Sequence, residues 1–316
     1  MEINANMDKE FKEKLEKQGY RFLGEHSALK ICSWTKKSIR GQGVCYKQKF
    51  YGIRSHLCAQ ISTTVNYCDM ACEYCWRERH NEPFDIIDSP IEILDKIDKN
   101  QRDLVIGFKG SEASDKIKLK ASEHPQHIAI SLTGETLYYP KLNKLIFEIS
   151  KKGLTSFVVT NGMLPDVLRD LNMPTQLYIS IDAPNSELQQ KLCNPIHADA
   201  WDRLIKSLDV MNSRHDSGRM ALRITLIKKI NMITPEKYGE LIEKANPHFV
   251  EVKAYMYVGA SRERLELDNM PTHSEVKEFA LKICEFCGYK IIDEQEESRV
   301  LLLMREDFDE RIMKFD

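Results

Sequence analysis

The sequence has no run of about 18 apolar residues of the kind a membrane-crossing helix needs. Its opening stretch, MEINANMDKEFKEKLEKQGY, is charged and helical in pattern and lacks the apolar region of a signal peptide. A cytoplasmic chain without a membrane partner is therefore expected. There is little net charge, -2 over 316 residues, so any nucleic-acid partner has to be read from local charge. No internal repeat and no low-complexity tract is present. The even cysteine scatter of a secreted disulfide scaffold is also missing. Of nine cysteines, six crowd between Cys32 and Cys75, which favours metal ligation.

At 42% hydrophobic residues the chain can bury a full core. Short apolar runs at 59–65, 127–132, 155–159, 176–181, 221–227 and 249–254 alternate with amphipathic segments at 91–99, 142–152, 164–171, 198–214 and 235–246. That alternation is the signature of βα units building a parallel sheet. Six strands are too few for a closed eight-stranded barrel, and predict an α/β fold, an incomplete (β/α)6 TIM-like barrel with its site at the strand C-termini. The expected division is a cysteine-bearing arm over 1–58, the partial barrel over 59–260 and a packed extension over 261–316, with a helix at 273–287 and a hairpin at 290–293 and 299–304. The polar, lysine-rich stretch 107–124 reads as an excursion loop.

In VNYCDMACEYCW, Cys68, Cys72 and Cys75 follow the first strand with C-x-x-x-C-x-x-C spacing. Three thiolates ligate three irons of a 4Fe-4S cube and leave the fourth iron open, whereas an electron-carrying cluster uses four cysteines. A structural zinc site is the alternative, with His80 as its fourth ligand.

This motif, with Tyr74 before its last cysteine, resembles that of the radical S-adenosylmethionine superfamily, and the resemblance runs from about Ile53 to Tyr257. It implies that S-adenosylmethionine chelates the open iron. The superfamily's GGE-like motif is matched by Gly134 and Glu135 in SLTGETLYYP, with Thr133 in place of the first glycine. By the same resemblance Thr160, Asn161, Ser180, Asp182 and Arg223, at later strand ends beside Thr225, are cofactor-binding candidates; strand-terminal turn chemistry is the competing account of each. MYVGASRERL, after the last strand, lies where the superfamily contacts adenine, and its Arg262 and Arg264 are candidates for phosphate.

Upstream, Cys32, Cys45 and Cys58 are spaced by 13 and lack the short loops of zinc fingers. Buried cysteines packing as small hydrophobes fit these residues equally well. The run ICSWTKKSIRGQGVCYKQKFYGIRSHLCAQ, followed by the radical motif, resembles the tRNA wybutosine-synthesising enzymes that make 4-demethylwyosine. The resemblance implies a second 4Fe-4S cluster on Cys32, Cys45 and Cys58, and Lys47 as the lysine that holds pyruvate as a Schiff base. An amine condenses with a 2-oxoacid only when deprotonated, a form that burial or neighbouring cations favour. One more phosphate-binding cation is the plainer account of Lys47. The implied reaction converts N1-methylguanosine at position 37 of phenylalanine tRNA to 4-demethylwyosine, with pyruvate as two-carbon donor. Eukaryotic members carry a flavodoxin-like domain ahead of this unit; an archaeal form, monomeric and reduced by a separate electron donor, is expected here.

The arm has no acidic residue between Glu25 and Asp69 but carries Lys30, Lys36, Lys37, Arg40, Lys47, Lys49 and Arg54 among Trp34, Tyr46, Phe50 and Tyr51. Cations for phosphates and aromatic planes for an unstacked base suit an anticodon loop, and a solvated charged face is the alternative. The acidic DEQEESR segment is expected to face away from RNA, and Cys193, Cys284 and Cys287 read as packing. Two rival functions stay open: a radical enzyme with an auxiliary cluster acting on another substrate, and a non-enzymatic iron-sulfur or zinc module that binds RNA.

Overall fold

A computed structural model describes residues 7–78, 81–82 and 85–315; His80, the proposed zinc ligand, lies outside the described residues. The chain forms two compact units: residues 1–68, 80–158 and 313–316 make the first, and residues 69–79 and 159–312 the second.

In the first unit, α1 (Lys9–Lys17) starts at Asp8, whose carboxylate caps Glu10 and Phe11 N–H, and buries Phe11 and Leu15. Two short antiparallel strands, β1 (Arg21–Phe22) and β2 (Ala28–Lys30), follow. The arm then coils into α2 (Ser33–Ile39) and α3 (Tyr46–Tyr51) before β3 (Cys58–Ser62). β2 pairs antiparallel with β3. β3 runs parallel to β4 (His127–Ile130), and β4 to β5 (Thr155–Thr160), the strand in which the chain leaves this unit. Alternation along these strands sorts the faces. Ala59, Ile61, Ile128, Ile130 and Val158 are fully buried, while Cys58 and Gln60 point the other way and stay half-buried. Each fully buried isoleucine contributes about 1.5–3 kcal/mol relative to exposure.

Helix α4 (Pro90–Val105) is longer than the expected 91–99, beginning with proline in its first turn and burying Ile93, Leu94, Ile97 and Val105. The stretch 107–124 is not an open excursion. It contains α5 (Lys116–Ala121), capped by Asp115, and Leu119 packs with Ile31, Ile39 and Val105. One buried side chain per helix is too weak a pattern to show in the sequence. Helix α6 (Leu142–Lys151) lies between β4 and β5.

The second unit repeats the βα pattern. Helix α7 (Pro165–Arg169) leads to β6 (Gln176–Ser180), then α8 (Ser186–Cys193), α9 (Ala200–Ser213), β7 (Arg219–Leu226), α10 (Pro235–Ala245) and β8 (Phe249–Ala254). Strands β6, β7 and β8 pair in parallel. After α11 (His273–Cys284), which opens with a Thr272–Glu275 capping box, β9 (Lys290–Gln295) and β10 (Val300–Met304) form the expected hairpin, and β10 adds antiparallel to β8. Six parallel strands thus occur, three named in each unit. Among the described residues no helix is long and apolar enough to cross a membrane.

Candidate active site and cluster ligands

The wide-spaced cysteines of the first unit meet around one serine. Cys32 caps α2, its sulfur accepting Thr35 N–H at 3.4 Å, and Thr35 Oγ1 donates to Ser55 O at 3.0 Å. Ser55 Oγ accepts Cys45 N–H at 2.9 Å and bonds Gln48 Oε1 at 2.8 Å. Ser55 therefore ties the start of α2 to the start of α3, three residues ahead of Cys58. The Cys58 thiol is enclosed although the residue as a whole is half-buried. Burial pushes its pKa well above the usual thiol range, the adjoining Cys32 and Cys45 push it further, and Lys47 opposes them. The four side chains are thus electrostatic neighbours.

Lys47 is 8% exposed, with Nζ 5.0 Å from the centroid of the Phe157 ring on β5. Tyr46, Phe50 and Tyr51 turn inward with it, which corrects the reading of these aromatics as a base-stacking surface. Across from Cys58 in the β3–β4 register stands the buried His127. Its Nε2 accepts Arg54 N–H at 3.1 Å, so the proton sits on Nδ1 and points to Thr155 Oγ1 at 2.7 Å. Burial, then Arg54 and His56, bring the His127 pKa down to about 4.

Also in the first unit, the Gly-Glu pair reaches the strand end that leads to Cys68. Glu135 N–H donates to Tyr67 O at 2.8 Å, Thr64 Oγ1 to Glu135 O at 3.0 Å and Ser62 Oγ to Thr133 O at 2.6 Å. Gly134 takes φ +73°, which favours glycine, whereas Thr133 is not in that region, so threonine serves where the superfamily pattern has its first glycine.

In the second unit, residues 69–73 lie along 192–196. Ala71 N–H donates to Cys193 O and Glu73 N–H to Leu192 O, each at 2.9 Å, and Ile196 N–H to Asp69 O at 3.0 Å. The Asp69 carboxylate is fully buried between Asn161 Nδ2 at 2.6 Å and His197 Nε2 at 3.0 Å. Asn161 Oδ1 accepts Met163 N–H and Thr160 Oγ1 accepts Gly162 N–H, so both brace the turn after β5. Asp182 is occupied as well: Oδ1 accepts Thr225 N–H at 3.0 Å and Oδ2 the Tyr74 hydroxyl. Arg223 pairs at 3.0 Å with the fully buried Glu251, its guanidinium 4.7 Å from the Tyr178 ring centroid. Of the strand-end candidates, then, Asn161, Thr160, Asp182 and Arg223 brace protein groups, and Ser180 stands half-buried at the end of β6.

As expected, packing places Cys193 in an apolar cluster with Leu192, Ile227 and Tyr255, and what sequence reasoning missed is the neighbour of Cys193. Cys193 is buried within hydrogen-bonding reach of Cys72, and that contact, then burial, raises the Cys72 pKa well above the usual thiol range. Only the fold brings the end of α8 to the motif. Burial, then Cys72, raises Cys75. Arg264, a candidate for phosphate, instead donates to Glu73 O and Cys75 O, and Ala260 N–H to Trp76 O, fastening the motif's trailing end. Cys284 and Cys287 are half-buried at the end of α11 rather than in the core, and the Cys287 thiol donates to Ile283 O at 3.4 Å.

Each set consists of three free cysteine thiols, the donor chemistry that an iron-sulfur cube takes. Among the described residues no three His, Cys, Asp or Glu side chains close around one metal ion. A cubane binds each thiolate to a different iron and accepts a more open set. Enclosed thiols that burial keeps protonated lose their protons when metal supplies the compensating charge.

The radical SAM superfamily model matches residues 62–242, and the model for wyosine base formation matches residues 244–305. The S-adenosyl-L-methionine-dependent tRNA 4-demethylwyosine synthase of Pyrococcus horikoshii is 44% identical over 98% of this chain and 92% of its own length. Among solved structures, TYW1 with a lysine-pyruvate adduct bound is 35% identical with a TM-score of 0.85, covering 95% of this chain and 97% of that one. The crystal structure of archaeal TYW1 is 33% identical with a TM-score of 0.78, covering 95% and 96%. These likenesses bear out the α/β class and are consistent with an incomplete TIM-like barrel. The chain belongs to the S-adenosyl-L-methionine-dependent tRNA 4-demethylwyosine synthases, a family of radical SAM enzymes.

Proposed function

We propose that this enzyme converts N1-methylguanosine at position 37 of phenylalanine tRNA to 4-demethylwyosine, taking two carbons from pyruvate held on Lys47 beside a second 4Fe-4S cluster on Cys32, Cys45 and Cys58. The observation that carries this reading is the burial of Lys47 among those three cysteines, with its amine over Phe157. A related structure holds a lysine-pyruvate adduct, which agrees with it.

The Lys47 amine adds to the 2-oxo carbon of pyruvate and the carbinolamine loses water, leaving an imine and its carboxylate. Burial favours the free amine needed for attack, and the apolar face of Phe157 limits hydrolysis by keeping water away. Cys68, Cys72 and Cys75 would hold the cluster that, once bound and reduced, would supply the electron needed to generate from S-adenosylmethionine a radical able to take hydrogen from an N-methyl group. Gly134 and Glu135 would hold the methionine amino group, while Asp69, Asn161 and Arg264 keep the loop that bears Cys72 and Cys75 in one geometry. The reading places the enzyme in the cytoplasm.

The test is borohydride trapping of the reconstituted enzyme with pyruvate, followed by peptide mapping and iron analysis. We expect a reduced pyruvate adduct on the peptide bearing Lys47, none in Lys47→Arg, and about eight irons per chain falling to about four in Cys32→Ala. An adduct on another lysine, or about four irons in the parent, would sink the assignment.

A further inference from the structure

Helix α5 is seated against α2. Asp115 N–H donates to Ile39 O at 2.8 Å, and Leu119 enters the apolar cluster of Ile31, Ile39 and Val105. What the two helices and their flanks turn outward is basic. Lys36, Lys37 and Arg40 are exposed at α2, and Lys109, Lys116 and Lys120 are exposed at or before α5, with Lys118 half-buried beside them. Residues 33–40 and 109–123 together hold seven cations against Glu112, Asp115 and Glu123. Asp115 caps α5, and Glu123, only 4% exposed, sits beneath Lys109 and Lys120 at 3.2 Å from each. In a chain of net charge -2 this is a concentrated excess.

The cations are also placed. Lys37 Nζ lies 4.5 Å from the Trp34 ring centroid and the Arg40 guanidinium 4.8 Å from that of Phe108, so their stems are held and their heads offered to solvent. Ile117, 83% exposed, is the one large apolar side chain α5 turns outward, too little for a protein interface, whose core is apolar and poor in charge. Cys32 caps this same α2, so the basic face and the second cysteine set share one short helix.

We propose that the outer faces of α2 and α5 form one phosphate-binding surface that seats the backbone of the RNA substrate. This rests on the reading of tRNA as substrate, and it revises the sequence picture of a basic arm acting alone. The cations of 36–40 bind together with a helix 76 residues or more further along the chain, whereas Lys47 is turned inward.

Binding of a fluorescein-labelled tRNA-Phe transcript to the reconstituted full chain, measured by anisotropy over a range of salt, tests the proposal with two variants, K36Q/K37Q/R40Q and K116Q/K118Q/K120Q. Each phosphate contact contributes about 0.7–0.9 to the slope of log affinity against log salt, so each variant is expected to lower the slope by about two. Parental slopes in both variants, each with parental iron content and absorbance, would overturn the proposed surface and leave the tRNA reading standing. Loss in only one variant also overturns it as a joint surface. Absence of salt-dependent binding by the parent overturns the tRNA reading itself, and equal displacement by polyglutamate would reassign the face to acidic protein.

Discussion

Gly134 meets the backbone of Thr64 so closely that a Cβ built on the glycine would stand 1.7 Å from the Thr64 carbonyl oxygen. No rotamer relieves that clash, because the atom approached is backbone, and the positive φ adds its own penalty. Gly134→Ala is therefore expected to displace the 133–135 turn from the strand end ahead of Cys68. It should cost about 2 kcal/mol or more of stability and weaken S-adenosylmethionine binding at least tenfold. Thr133→Gly, at a position without positive φ, should do neither. Equilibrium dialysis with labelled cofactor decides; parental affinity in Gly134→Ala would remove the turn from the cofactor site.

The C-x-x-x-C-x-x-C spacing and the period-two apolar strands were legible because each is a local pattern that the fold keeps. All six parallel strands lie within a few residues of their sequence-based positions, since Ile61, Ile130 and Val158 need one face only. The arm was harder to read. Its helices are six or seven residues long and stand on hydrogen bonds to Ser55, a residue with no sequence signature for that task. Tyr46, Phe50 and Tyr51 were misjudged for a related reason: aromatics beside lysines serve a stacking surface or a core wall equally, and only tertiary burial decides. At the strand ends, Asp182 bonds Tyr74 and Thr225 and Asn161 bonds Asp69, contacts between distant segments that no local pattern announces.

Cys193 beside Cys72 leads to a second expectation. A sulfhydryl within reach of a ligand sulfur donates a hydrogen bond to it when the ligand is a thiolate and draws charge density away from the iron, and hydrogen bonds to cluster sulfurs raise reduction potential. Cys193→Ala should therefore retain the parental iron content while moving the cluster's midpoint to a more negative value and altering its electron paramagnetic resonance line shape. Iron loss matching that of Cys72→Ala would instead make Cys193 a ligand.

Stability should fall in mildly acidic solution, because the fold lowers the pKa of His26, His56, His127 and His248, the last two most strongly. Burial is the main cause at both His127 and His248, each brought from 6.5 down to about 4. Arg54 and His56 add to it at His127; His215, stacked at 4.1 Å, and Arg219 add to it at His248, where Asp216 acts in the opposite sense. A folded pKa below the unfolded one means that the unfolded chain binds more protons between the two values. Stability is then level above about pH 6.5 and declines as pH drops towards 4, each histidine contributing at most about 1.4 kcal/mol per pH unit. The carboxylates held low by ion pairs, such as Glu243 beside Arg305, begin to lose their contribution only near and below their ordinary value of 4.5. Unfolding free energies between pH 7 and 5 therefore report mainly the histidines, with the buried Asp182, whose pKa burial raises, acting in the opposite sense. His248→Phe should flatten part of the decline, since phenylalanine keeps a ring against His215 without taking up a proton. Equal stability of the parent at pH 7 and pH 5 would show that these imidazoles are protonated in the folded chain.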